Sequence, residues 1–162
     1  MPAIPDDSCS IARSLGVLGD RWTFLILRDA IEGFTRFQEF QWSLGVATSV
    51  LTSRLSALVE HGVLTKVDYQ EPGRRRRSEY LLTDAGRELF VVIAGLQQWG
   101  DRHLPYEPGA SMRRVDERTG EGVRVGFIDE GGAEVPPERV QLRSTSTYPA
   151  QRLEARRRAH AA

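Results

Sequence analysis

Residues 44–80 constrain the fold of this chain more than any other stretch. Val50, Leu51, Leu55, Leu58 and Val59 recur at helical spacing and form one apolar stripe. The opposite face carries Ser49, Thr52, Ser53, Ser56 and Glu60, which are short and mostly polar. Thr48 is placed to cap this helix, about 48–61, and Gly62 to stop it. Short hydroxyl side chains near a helix start can approach base edges and phosphates closely, where bulky ones could not. Two strand-like segments follow, at 63–69 and 78–82, on either side of Gln70-Glu71-Pro72-Gly73-Arg74-Arg75-Arg76-Arg77. A hairpin tip with four consecutive arginines points to an anionic partner.

The segments around this stretch have their own punctuation. After an arm over residues 1–8, Asp7 or Ser8 can cap a first helix with Ile11, Ala12, Leu15 and Leu18 on one side, ending near Gly19. Asp20 caps a second helix, 21–31, which is apolar on most sides and so expected to be the most buried; Gly33 closes it. Thr35 introduces a short helix, 36–43, with Phe37, Phe40 and Leu44 inward, and Gly45 supplies the turn into helix 48–61. The spacing from Phe37 to Leu58 fits a helix-turn-helix in which the first helix braces the second. Helix, strand, basic turn, strand is the pattern of a winged helix-turn-helix. Thr83 then caps a long helix, 84–104, whose Ala85, Leu89, Val92, Ile93, Leu96, Trp99 and Leu104 keep a helical period. That is more apolar surface than a small three-helix core covers, so a second copy of the chain is the expected partner. Pro105 breaks the helix. Residues 111–118 and 123–128, with 139–143 as a third segment, read as a small β appendage over 105–143; the polar remainder, 144–162, reads as a disordered basic tail. The fold class is therefore mainly α with small β.

Charge supports the same partner through its distribution. Lysines and arginines equal aspartates and glutamates, 22 each over 162 residues. Between 36 and 77, however, seven basic residues face four acidic ones. Cys9 is the one cysteine, so no intrachain disulfide can form and a reducing compartment is expected. No run approaches the length of a membrane helix, and residues 1–7 lack the pattern of a signal peptide. The expected location is the cytoplasm.

With these residues laid out, the chain resembles the HxlR-type regulators, a winged-helix group allied to the MarR repressors, over about residues 9–104. The resemblance is carried by Cys9-Ser10-Ile11-Ala12, Gly19-Asp20-Arg21-Trp22-Thr23, Leu25-Ile26-Leu27-Arg28 and Arg36-Phe37-Gln38-Glu39-Phe40. It continues through Val50-Leu51-Thr52-Ser53-Arg54-Leu55, Leu58-Val59-Glu60-His61-Gly62-Val63-Leu64 and Glu79-Tyr80-Leu81-Leu82-Thr83-Asp84-Ala85-Gly86. It implies a homodimeric transcriptional regulator of double-stranded DNA, with the first and last helices forming the dimer. Ile11 and Leu15 would then join Leu89, Val92, Ile93, Leu96 and Trp99 at the interface. Some longer members carry cysteines in the β extension that suggest a metal knuckle. This chain has none after Cys9, so neither metal nor cofactor is expected.

Ser49, Thr52 and Ser53 are the candidates for base-edge contact. Thr48, Arg36 and Arg54 read as phosphate-positioning groups, although Arg54 could instead pair with Glu60 or another acid of its own domain. Arg74, Arg75, Arg76 and Arg77 would meet phosphates, one of them in a narrow minor groove. Cys9, at the start of the first helix, is a candidate redox sensor because a helix N-terminus lowers a thiol's pKa; Asp6 and Asp7 oppose this, and an unreactive residue is the alternative. A small apolar effector could sit near Trp22, Phe24, Trp42 or Trp99, although aromatics at helical spacing also serve as core. Catalysis finds little support: His61, His103 and His160 are isolated, and the glycines from Gly120 to Gly126 fit no dinucleotide fingerprint. The competing reading is a winged-helix protein-interaction module without DNA binding, which the four arginines oppose.

Overall fold

A computed structural model describes residues 8–70 and 77–160. The chain divides into two compact units: Asp20–Val125, and a second that joins the described residues of Met1–Gly19 to those of Gly126–Ala162. This division differs from the expected boundaries near 104 and 143.

In the second unit, helix α1 spans Ser10–Leu18. Its N-cap position is Cys9, one or two residues later than the expected Asp7 or Ser8, and its C-cap is Gly19 as expected.

The larger unit begins at Asp20, whose carboxylate accepts a 2.9 Å hydrogen bond from the Trp22 amide and caps α2, Arg21–Ile31. Five α2 residues are buried, Thr23, Ile26, Leu27, Asp29 and Ala30, as its near-continuous apolar character requires. Helix α3, Phe37–Leu44, starts one residue later than expected, with Arg36 at the N-cap position. Thr35 does not cap it. Instead the Glu39 carboxylate reaches back to accept from the amides of Thr35, at 2.9 Å, and Arg36, at 2.8 Å. Those two donors hold the Glu39 carboxyl below the usual range, the Arg36 amide foremost.

Gly45 turns the chain at φ 59°, a left-handed conformation that a Cβ would strain. Helix α4, Thr48–Glu60, follows, with Ala47 rather than Thr48 at its N-cap position. The Thr48 hydroxyl instead accepts a 2.9 Å hydrogen bond from Gln41 Nε2 and ties α3 to α4. Leu51, Leu55 and Leu58 are buried, while Val50 and Val59 flank them half-buried. They meet Ile26, Leu27, Phe40 and Leu64, all essentially inaccessible, in one core. Each such side chain contributes about 1.5–3 kcal/mol by leaving water.

Strands β1, Leu64–Tyr69, and β2, Arg77–Leu82, pair antiparallel from Leu64↔Leu82 to Tyr69↔Arg77. The Tyr80 amide donates to the Thr35 carbonyl at 2.7 Å, and Arg36 bridges Glu79, so the segment before α3 adds a third edge to the hairpin. Thr83 then does two things. Its hydroxyl donates to the Gly62 carbonyl at 2.6 Å and accepts from the Gly86 amide at 3.1 Å, which fixes the hairpin's end to the end of α4 and caps α5, Asp84–Glu88.

The long helix expected over 84–104 is two helices, α5 and α6, Phe90–His103. At Leu89 the backbone opens to ψ −9° and the amide donates to Gly86 rather than one residue further back. The cause lies at Gly86, where a Cβ would sit 2.2 Å from the Val63 carbonyl oxygen. Close approach holds α5 against the hairpin, whereas α6 packs on α2 through Ala94, and the joint serves both. Gln98 clamps Val125 with two 2.9 Å bonds, and Gln97 donates to the Met112 carbonyl, fastening the 111–125 loop to α6.

The expected β appendage is reduced. Around Asp116, which folds the chain by accepting from the amides of Arg118 and Thr119, only an isolated bridge forms, Val115↔Gly122, and the Val123 amide donates to the Arg114 carbonyl at 3.0 Å. In the second unit β3, Phe127–Ile128, pairs with β4, Glu134–Val135; Pro137–Arg139 forms a 3-10 turn, and residues 139–143 hold no strand. The tail expected to be disordered contains α7, Ala150–His160. Alanine, glutamate and arginine are strong helix formers, and Glu154 pairs with Arg158 at i,i+4.

Candidate nucleic-acid interface

The buried stripe of α4 determines what its other face offers. With Leu51, Leu55 and Leu58 inward, Thr48, Ser49, Thr52, Ser53 and Ser56 all face solvent. This row of short hydroxyls is open to approach by a larger surface. The candidate base-contact residues Ser49, Thr52 and Ser53 therefore share one accessible face.

The flanking arginines are placed differently from one another. Arg54 is half-buried, with Nε 3.5 Å from Asp20 Oδ1. Of the two readings the sequence leaves open, the pair within the domain is present, but the acid is Asp20 and not Glu60. Arg54 thus links the start of α2 to α4. Arg36 lies at the N-terminus of α3, its Nε 3.3 Å from Glu79 Oε1 and its guanidinium 5.3 Å from the Tyr69 ring centroid. Glu79 is the main reason its charge is held even more firmly than usual. The side chain remains 45% exposed, so the charge can reach a further anion. Arg77 is exposed at the start of β2, opposite Tyr69. Arg36, Phe37, Tyr69, Arg77 and Tyr80 line a recess of about 310 Å³ at the base of the hairpin. Arg74, Arg75 and Arg76 lie outside the described residues.

Two features of this region escape the sequence patterns. Asp20 serves both α2's cap and Arg54, and Glu79 orients Arg36 from across the hairpin; both pairings join residues distant along the chain. Asp29 is a third surprise, an acid almost wholly buried in α2. Its Oδ1 accepts from Arg28 Nε and Nη2 at 2.8 and 2.6 Å, while Oδ2 finds no hydrogen-bond partner among the described residues. An acid beside an arginine in a helix that is apolar on most sides was the available signal.

The candidate dimer residues are unequal. On α6, Val92, Leu96 and Trp99 form an exposed stripe, about half accessible each, whereas Leu89 and Ile93 are half-buried. On α1, Ile11 and Leu15 are exposed. Cys9 is half-buried at the start of α1, and its thiol is held below the usual range, first by the Ala12 amide and then by the Arg152 guanidinium. Of the aromatics considered for an effector, Phe24 lines a large cavity beside α2, while Trp42 and Trp99 are largely exposed.

The model of HxlR-like helix-turn-helix proteins matches residues 17–108, the span that contains α2 to α6 and the hairpin. The chain belongs to the HxlR family. An uncharacterized HTH-type transcriptional regulator of Mycobacterium tuberculosis is 43% identical over 112 residues, which cover 69% of this chain and 70% of that protein. The crystal structure of PA1607, a proposed transcription factor, superposes with a TM-score of 0.75 at 40% identity, over 86% of this chain and 97% of the other. The redox regulator HypR in its reduced form gives a TM-score of 0.53 at 26% identity, covering 59% of this chain and 96% of that one. HxlR membership makes this a transcriptional regulator whose helix-turn-helix binds DNA. Among the described residues no helix is long and apolar enough to cross a membrane.

Proposed function

We propose that the protein is a homodimeric, sequence-specific DNA-binding regulator acting in the cytoplasm. Two copies of α4 enter successive major grooves about 34 Å apart on a two-fold symmetric operator. The observation that carries this reading is the solvent-facing row of Ser49, Thr52 and Ser53 on α4, opposite a fully buried stripe. Thr48 and Arg36 position phosphates beside that row. Arg54, braced by Asp20, contributes its remaining exposed edge. The wing, Arg74 to Arg77, supplies most of the sequence-independent affinity. The exposed stripe of α6, with Ile11 and Leu15 of α1, supports a second copy as the partner.

None of the exposed α4 residues is Asn, Gln or Lys, so direct readout is sparse and DNA shape carries part of the specificity. Thr52→Ala combined with Ser53→Ala is expected to change which sequences are enriched from a pool of genomic fragments, while total affinity for non-specific duplex stays within about threefold. An unchanged preference in the double variant would assign base reading to another face.

Control by oxidation is supported by the thiol of Cys9, whose ionised form the Ala12 amide and Arg152 favour. HypR, named a redox regulator, is a structural neighbour. Oxidation of the wild type is expected to shift operator affinity severalfold, and Cys9→Ser to abolish that response. Equal responses in the two proteins would remove Cys9 from control.

A further inference from the structure

We infer that helix α7, Ala150–His160, is a second contact for the phosphate backbone of duplex DNA, additional to α4 and the wing. The choice of a duplex as partner rests on the reading proposed above.

The whole chain carries as many acids as bases, yet residues 139–160 hold six arginines and one acid, Glu154. Four of the six, Arg152, Arg156, Arg157 and Arg158, fall on α7, and all four are exposed. At 1.5 Å per residue they span about 9 Å of helix axis, roughly one cation per 2–3 Å. Duplex DNA offers about one phosphate charge per 1.7 Å of its own axis, so the two charge densities are comparable. Arg158 shares Glu154 at 3.1 Å, and Arg152 lies over the Tyr148 ring, 5.5 Å from its centroid. The pairing does not hide the charge: the Arg158 side chain remains 80% exposed.

Packing does not account for this helix. Leu153 is its one large apolar residue and is half-buried, while Ala155 and Ala159 are exposed. A helix that lies on a membrane needs an apolar face to sink below the headgroups, and α7 has none. An 11-residue helix without such a face is marginal by itself in water, and the like charges of Arg152 and Arg156 stand at i,i+4. A polyanion relieves that repulsion. It also leaves the favourable features in place, the Glu154–Arg158 pair and the arginines toward the negative end of the helix dipole. Arginine suits phosphate in particular, since its fork donates to two oxygens at once.

The test uses the full chain and a duplex of arbitrary sequence without an operator, titrated by fluorescence anisotropy at several salt concentrations. Arg156→Gln, Arg157→Gln and Arg158→Gln together are expected to flatten the slope of log K against log salt by about 2.7 units per bound copy and to weaken binding about thirtyfold at physiological salt. Glutamine keeps helix propensity, which far-UV circular dichroism checks. Arg152 is left in place because it stands beside the Cys9 thiol. Arg156→Lys, Arg157→Lys and Arg158→Lys together should keep the slope, because counterion release follows charge. Glu154→Gln removes the one acid of the helix and should tighten binding severalfold, a gain that lost folding cannot produce. An unchanged slope in the glutamine triple, a slope lost as fully in the lysine triple, or weaker binding by Glu154→Gln would overturn the inference. So would arginine-dependent binding to vesicles of phosphatidylserine and phosphatidylcholine with the duplex slope unmoved, because a lipid surface would then be the partner. A slope that the wing substitutions flatten and the α7 substitutions leave alone ends this inference and keeps the wing; the reverse pattern removes the wing and keeps α7.

Discussion

Replacing Arg74, Arg75, Arg76 and Arg77 together with alanine is expected to weaken binding to every duplex, specific or not, by roughly a thousandfold at physiological salt. Each arginine that neutralises a phosphate releases condensed counterions and adds about 0.9 to the slope of log K against log salt, so four contacts account for about 3.6 units of slope. The substitution should flatten the slope by that order and leave the ranking of DNA sequences unchanged, because phosphate contacts position the protein without reading bases. The reason to place this effect in the wing is electrostatic. Elsewhere on the reading surface the cations already have acidic neighbours, Arg54 with Asp20 and Arg36 with Glu79. Titration by fluorescence anisotropy at several salt concentrations measures both quantities. An unaltered slope would mean that the wing does not contact the duplex.

The second large effect is on the fold. Leu55→Ala is expected to cost about 3–4 kcal/mol, because the side chain is fully inaccessible and its loss leaves a cavity between α4 and the rest of the core. Against a total stability of roughly 5–15 kcal/mol that is a large share, and melting should fall by about 10 °C or more. Thr52→Ala, three residues earlier and exposed, should change stability by less than about 0.5 kcal/mol. The pair tests which side of α4 is inward by a route independent of DNA. Comparable losses of stability in the two variants would mean that the helix is rotated from the orientation described.

What can be read from the residues alone follows the range of the interactions concerned. The stripe of α4, the Asp20 cap, the Gly45 turn, the Thr83 cap and the paired strands of the hairpin are all set by neighbours within a few positions, and each appears where its pattern places it. The differences come from contacts of longer reach. Arg36 and Glu79 are 43 residues apart, and Arg54 meets Asp20 only once α2 and α4 pack. The joint at Leu89 arises because Gly86 approaches the Val63 carbonyl, and no periodicity within 84–104 reports that contact. Thr48 looks like a cap by position, but its hydroxyl is engaged by Gln41 across the turn. The tail differs for another reason: its polarity argues for disorder, while its alanine, glutamate and arginine content favours the helix that forms.

The candidate DNA surface shows the same division. The hydroxyl face of α4 is legible because burial of Leu51, Leu55 and Leu58 fixes its orientation. The partners that brace the flanking arginines are not, and neither is the depth at which Asp29 is buried.

Whether this chain, as a dimer, places α4 on a specific two-fold symmetric DNA site is tested most directly by selecting bound fragments from a pool of genomic DNA and sequencing them. The expected result is one enriched motif made of two inverted half-sites whose centres lie about 10 base pairs apart or a whole number of helical turns further. Fragments recovered with no shared motif, in proportion to their abundance in the pool, would contradict it.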